Sequence, residues 1–245
     1  MLLRLLLVCC LLLPVWGAAA NLRLAVGLAK PPYVEIGGKT GMEVELAVAT
    51  LQQAGHQVEV VQVPQARGLA MLQEGTVDAM ITLIPGASEG IFYSQPLLYY
   101  RNRAIVLQNS GIVLHQLADL AHYHVASFQN ARLLFGSDYT RAVMAAPSYS
   151  EHADQDILNR LLLNHRVEVV VGDELIFHAA LTQQDRQGRR PPIASFALFG
   201  NTPRHVGFRS DQRRREFDTA LLQLKAVGDY QRIVQHYRDK YQLPE

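Results

Sequence analysis

Residues 75–100 read GTVDAMITLIPGASEGIFYSQPLLYY. The run 76–82, TVDAMIT, is short and apolar with one acid near its start, the pattern of a buried strand in a parallel sheet. It breaks into Pro85-Gly86-Ala87-Ser88-Glu89-Gly90, a cluster that only a loop accommodates, and resumes at Phe92-Tyr93-Ser94-Gln95-Pro96-Leu97. In an open α/β sheet, ligands are met beyond the carboxyl ends of the strands. The loop after Thr82 is therefore the first candidate for a binding site, with Thr82 itself at its edge.

Working outward, the preceding segment repeats this grammar. Residues 22–27 read as a first strand, followed by Lys30-Pro31-Pro32-Tyr33, a stiff loop because proline fixes φ and restricts the residue before it. Gly41-Met42-Glu43-Val44-Glu45-Leu46 opens a helix whose apolar face carries Val44, Val48 and Leu51, and Gly55 ends it. Residues 58–63 alternate as a second strand, and Pro64-Gln65-Ala66-Arg67 leads into a helix over 68–73. The order β-α-β-α-β with short connections favours a parallel sheet.

The unit restarts after a strand over 101–108. Residues 123–128 form a strand, a helix begins at Gln129-Asn130-Ala131-Arg132, and a short extended piece (149–151) precedes a helix over 154–164. The run 167–171 is an apolar strand apart from Glu168, and Asp173 falls just past its carboxyl end. A helix follows over 174–181. Residues 182–192, TQQDRQGRRPP, read as an exposed excursion. Strands over 193–199 and 205–208 and two amphipathic helices (213–226 and 229–241) close the chain. The expected organisation is two α/β lobes, residues 21–105 with 203–245 against 106–202, a two-lobed α/β fold.

The 245 residues carry a formal net charge of +1, with 49% hydrophobic and 18% charged residues. That is ample for a core. No charge run points to nucleic acid or an anionic membrane as partner. Residues 1–20 read as a signal peptide. Arg4 is followed by an apolar stretch too short to span a bilayer comfortably, and Ala18-Ala19-Ala20 supplies small residues for cleavage before Asn21. Cys9 and Cys10 both fall inside it, so the mature chain needs no disulfide for export. They also sit too early, after Val8, for a lipoprotein signal.

Five motifs in order make the chain resemble the periplasmic solute-binding proteins of the polar amino-acid ABC transporters. Gly41 to Leu46 resembles the signature G-[FYIL]-[DE]-V-[DE]-L, with Met42 in place of the usual residue. Gly75, Asp78 and Ala79 resemble G-x-x-D-A. Residues 117–130 resemble L-x-d-L-x-g-x-x-V-g-x-x-x-G, and Val167 to Asp173 resemble V-D-A-V-v-x-D. Leu221, Leu224, Gly228, Tyr230, Ile233 and Tyr237 match the terminal helical pattern. The Pro-x-x-Arg at 64–67 is similar to a less-studied branch with P-W-x-R.

The resemblance implies the type II periplasmic binding fold, α/β with two lobes, a hinge and an interlobe cleft. It implies a small polar ligand, no cofactor, an inner-membrane ABC permease as partner, a monomer, and a periplasmic location. By the same resemblance Tyr33 takes the place of an aromatic at the mouth of the cleft, and Thr82 falls where hydroxyl and backbone groups meet the ligand. Gln65 lies beside them. Asp173 aligns with the acid that accepts the ligand's ammonium. Gln129 and Arg132 stand at a helix N-terminus, where N–H groups welcome an anion.

One element departs from the family pattern. Its members carry an arginine after the third strand that forks onto the α-carboxylate, and residues 68–100 contain no Arg or Lys at all. Arg67 is either the substitute or a surface arginine on a helix's first turn. Tyr33, Thr82 and Arg132 keep structural alternatives: a core tyrosine, a hydroxyl bonded to its own strand, a solvated helix residue. The histidines show no metal spacing, and no phosphate loop or nucleophile elbow appears. A receptor for transport is the leading reading. A ligand sensor for a signalling system and a dehydratase-like enzyme, with Asp173 or Glu174 as acid or base, are the alternatives.

Overall fold

The structure, a computed structural model, describes residues 21–184 and 191–244. Its order is β1 (Asn21–Val26), α1 (Met42–Gln53), β2 (Gln57–Gln62), α2 (Gln65–Glu74), β3 (Ala79–Leu83), β4 (Phe92–Tyr93), β5 (Leu98–Tyr100) and β6 (Asn102–Leu107). It continues with β7 (His124–Phe128), α3 (Ala131–Met144), β8 (Ser148–His152), α4 (Asp156–Leu163), β9 (Val169–Asp173) and α5 (Glu174–Gln184). β10 (Ile193–Phe196), β11 (Thr202–Phe208), α6 (Asp211–Ala226) and α7 (Asp229–Tyr241) complete it. The proposed signal peptide lies outside the described residues.

Two sheets result. The first runs β2-β1-β3-β11-β4, with β5 also on β11; the second runs β10-β6-β9-β7-β8. In the first, β1 pairs in parallel with β2 and β3, as the β-α-β-α-β order requires. β11 returns antiparallel beside β3, β4 and β5. In the second, β7 is parallel to β8 and β9, while β6 runs antiparallel to both of its neighbours, β9 and β10. The chain passes between the sheets twice. Outward, it leaves β5 at Tyr100 and enters β6 at Asn102; on the return, it re-enters the first sheet at β11. The two passages lie side by side, with Thr202 opposite Tyr100 and Asn102 Nδ2 donating to Thr202 Oγ1 at 3.1 Å.

Each sheet is covered on both faces. α1, α6 and α7 bury Val44, Leu46, Phe217, Leu221 and Tyr237 against one side of the first sheet, and α2 buries Leu72 against Met80 and Leu83 on the other. α3 and the aromatic group Phe128, Phe135, Tyr139 and Phe199 cover one face of the second sheet, while α4 and α5 cover the other. α5 also sends Leu175, Ile176 and Ala179 into the core of the first sheet, which ties the halves together at the base of the cleft between them.

α1 starts where it does because of Gly41. Its φ of 129° is open to glycine and strained for other residues, and a Cβ there would stand 2.3 Å from the Tyr33 carbonyl oxygen. Its N–H donates to Tyr237 Oη at 2.8 Å, so the helix start is locked to α7.

Several boundaries move from their sequence-based positions. β3 begins at Ala79 rather than residue 76 because the N–H groups of Thr76 and Val77 still bond back to Met71 of α2. α2 begins at Gln65 rather than 68, since Pro64 supplies the carbonyl that Gly68 N–H bonds at 2.9 Å and a fixed φ suited to a helix start. β11 begins at Thr202 rather than 205, its first half held by β5. Residues 182–184, expected in the excursion, form the last turn of α5, where Thr182 Oγ1 donates to the Tyr241 carbonyl at 2.7 Å. The rest of that expectation, 185–190, lies outside the described residues.

Candidate functional site

A cleft of about 510 Å³ opens where β3, β5, β11 and the loop after β1 face β7, α3 and α5. Its polar lining comprises Lys30, Gln65, Thr82, Asn102, Gln129, Asn130 and Gln155. Ile84, Phe128, Leu133, Leu134 and Ile176 form its apolar walls. Tyr100, Asp173 and Arg204 form its floor, all of them buried. A second chamber of about 670 Å³, rimmed by the exposed Leu28 and Ile36, shares Lys30, Gln65, Gln129, Gln155 and Ile176 with the first.

The floor is a layered arrangement of rings and charges. Tyr33 is 1% exposed and stacks on Tyr100, centroids 4.1 Å apart and planes 15° from parallel. The Arg204 guanidinium carbon stands 4.4 Å from the Tyr100 centroid, which leaves it the face that Tyr33 does not occupy. The Lys30 ammonium is 5.2 Å from the same ring. Beneath, Tyr100 Oη donates to Glu43 Oε2 at 2.9 Å, and Glu43 is wholly buried. Burial, helped by the charges of Glu43 and Asp173, pushes both tyrosine hydroxyls well above their usual pKa. Both remain neutral donors.

Arg204 is the group that sequence reasoning missed. It is 9% exposed, its Nε has no hydrogen-bond partner, and among the described residues no carboxylate lies within ion-pair distance. A buried cation without a counter-ion is costly. The ring of Tyr100 offsets only part of that cost. The signal available in the sequence was an arginine directly ahead of the short apolar run at 205–208.

Thr82 lines the cleft with φ of 66°. A β-branched residue in that region is an outlier costing on the order of 1–3 kcal/mol, and such strain concentrates at functional sites. Its Oγ1 is buried without a partner, and its carbonyl accepts from Gln65 Nε2 at 3.4 Å. The hydroxyl does not bond to its own strand.

Asp173 is in the cleft floor, 3% exposed. Tyr33 Oη (3.1 and 3.2 Å), Arg101 N–H (2.6 Å), and the Leu175 and Ile176 N–H groups (3.0 Å each) all donate to it. It caps α5 and ties the loop after β1 to the second sheet. Burial raises its pKa from 3.8 to about 6, against the opposing pull of these four donors.

The remaining sequence-based candidates divide. Gln65 and Gln129 line the cleft. Arg67 does not; it is exposed, because residues two apart on α2 point about 200° from each other and Gln65 takes the inward direction. Arg132 points away from the cleft. Its Nε meets Glu151 Oε1 at 3.3 Å, and its guanidinium lies over Tyr149. Glu151 also accepts the N–H groups of Asn130 (2.8 Å) and Arg132 (3.1 Å), so the start of α3 already holds an anion, the protein's own. Burial opposes it, yet these donors and the Tyr149 hydroxyl hold the Glu151 carboxyl below its usual pKa. Tyr33 lies under Tyr100 and away from the cleft lining. Tyr100 takes the cleft position instead.

A cleft of this size with a few polar groups among apolar walls can hold a small solute. The family model for bacterial extracellular solute-binding proteins, family 3, matches residues 22–240. The chain belongs to that family. An amino-acid ABC transporter substrate-binding protein from Streptococcus pneumoniae, bound to L-arginine, shares its fold at a TM-score of 0.69 and 18% identity, with 92% of this chain and 97% of that one covered. The GluR0 ligand-binding core in complex with L-glutamate matches at 0.70 and 19%, covering 90% and 99%. An ancestral amino-acid-binding protein, described as a precursor of cyclohexadienyl dehydratase, matches at 0.68 and 17%, covering 89% and 95%. Among curated protein sequences no relative matches. The fold is therefore the two-lobed type II periplasmic binding fold.

Proposed function

We propose that this chain is a periplasmic receptor that captures a small polar solute in the cleft and delivers it, as a monomer, to an ABC permease of the inner membrane. The observation that carries the reading is Arg204, a buried guanidinium facing the cleft with no counter-ion among the described residues. Such a group is stabilised when a ligand anion completes it. The strained Thr82, with its unpartnered hydroxyl, supports the same place. The division into two lobes belongs to this reading, with its bounds moved from 105/106 and 202/203 to the passages at Tyr100/Asn102 and at the start of β11, because Asn102 to Ile105 pair with β9 and Thr202 pairs with Tyr100. The reading is binding without turnover.

A thermal-shift screen of the exported protein over amino acids, organic acids, polyamines and short peptides tests this. A ligand at a hundred times its Kd adds about 2.7 kcal/mol. One solute that shifts the transition, binds one-to-one and is recovered unchanged supports the proposal. Chemical conversion of the solute, or no shift with any of them, overturns it.

A further inference from the structure

The charges around the cleft are segregated by sign. The cations Lys30 and Arg204 face it, and neither forms an ion pair with a described residue. The acids do not answer them across the cleft. Asp173 already accepts from four donors, and Glu43 lies behind Tyr100 with no exposure. Tyr100 offers a ligand ammonium no free ring face, since Tyr33 and Arg204 cover its two faces. The other acids nearby, Asp154 and Asp156, border the second chamber rather than the one lined by Arg204. An α-ammonium sits one carbon from its carboxylate and so has to be satisfied beside Arg204. The neutral groups of the cleft, among them Thr82 Oγ1 and the side-chain amides of Gln65 and Asn102, can hydrogen-bond a ligand but carry no charge to offset an ammonium. Beyond them the walls are apolar, built from Ile84, Phe128, Leu133, Leu134 and Ile176.

We infer that the ligand is a carboxylic acid without an ammonium group, its carboxylate held between Arg204 and Lys30 and its body a branched or aromatic apolar group. The inference rests on the receptor reading above and narrows it to one ligand class. An amino acid with the same side chain would bury an ammonium that lacks an acid to pair with, a cost that a plain acid avoids.

Matched pairs test it on the unmodified exported protein by isothermal titration calorimetry: 3-phenylpropanoate against phenylalanine, 4-methylpentanoate against leucine, with phenethylamine as the amine alone. The expected result is that at least one acid binds tenfold or more tighter than its amino acid and that the amine gives no binding heat. An amino acid that binds as tightly as its acid, or binding of the amine, overturns the inference. If none of these compounds binds and the solute found in the wider screen carries an ammonium or lacks a carboxylate, the ligand class is wrong and the receptor reading stands; an ammonium-free carboxylic acid from that screen supports the class. If nothing in the screen binds, both fall.

Discussion

Replacing Asp173 with asparagine separates the two effects that meet at this side chain. Burial raises its pKa from 3.8 to about 6. At about 1.4 kcal/mol per pKa unit, that is a stability difference of about 3 kcal/mol between the fully protonated and fully ionised folded forms. The folded state holds the proton more tightly than the unfolded state. The contribution is therefore fully present below pH 4 and is lost as pH rises through about 6. Asp173→Asn removes the titration. It also places an amide N–H₂ where an oxygen accepts from either Arg101 N–H or the Leu175 and Ile176 N–H groups, which leaves a buried donor unmatched at a cost of about 1–3 kcal/mol. At pH 7 the two changes oppose each other, and the variant is expected within about 2 kcal/mol of the wild type. Near pH 4 the wild type is expected to be more stable by the full cost of the unmatched donor. The assay is urea denaturation of both proteins from pH 4 to pH 8, read as the difference between them so that the other carboxylates cancel. A difference that stays flat across this range would refute the reasoning.

Further outcomes follow from the same geometry. Gly41→Ala puts a Cβ 2.3 Å from the Tyr33 carbonyl oxygen at a φ of 129°, and is expected to lower stability in urea denaturation by at least about 2 kcal/mol. Burial lowers the pKa of Lys30; Arg204 adds to the effect, against the pull of Glu43 and Asp173. A bound carboxylate raises that pKa again, so any proton exchanged through Lys30 on binding is taken up, and affinity falls as pH rises through the pKa of the free protein. Titrations in buffers of different ionisation enthalpy read this directly, and release of a proton would contradict it. Arg67→Ala and Arg132→Ala are expected to leave solute affinity within twofold, since neither side chain faces the cleft; a tenfold loss in either variant would return that arginine to the site.

Much of the first sheet was legible in the sequence because its order is local. The β1-α1-β2-α2-β3 run alternates apolar strands and amphipathic helices with glycine at the ends, and each strand pairs with a near neighbour in sequence. Asp173 was legible for the same reason, an acid at the end of an apolar run. Arg204 was not. Its strand reaches the first sheet from the far end of the chain and is positioned by pairing with β5 about a hundred residues earlier, which no window of sequence reveals. The polar residues Thr202-Pro203-Arg204 also hide the strand's first half, because only the half from His205 onward carries an apolar pattern. Arg67 and Gln65 looked equivalent as neighbours in a loop. Once Pro64 starts a helix there, helical geometry sends them to opposite sides. Tyr33 looked like a ligand-facing ring because its loop does border the cleft, whereas its burial depends on Tyr100, which comes from another strand.

The central claim is that Arg204 holds the solute in the cleft. Its most direct test is a calorimetric titration of the wild type and Arg204→Gln with the solute that gives the largest thermal shift. Hydrogen bonds to a charged group contribute about 1.5–3 kcal/mol each. The account predicts one-to-one binding by the wild type and affinity at least tenfold weaker in a variant that keeps its fold by circular dichroism. Equal affinity in the two proteins would contradict it.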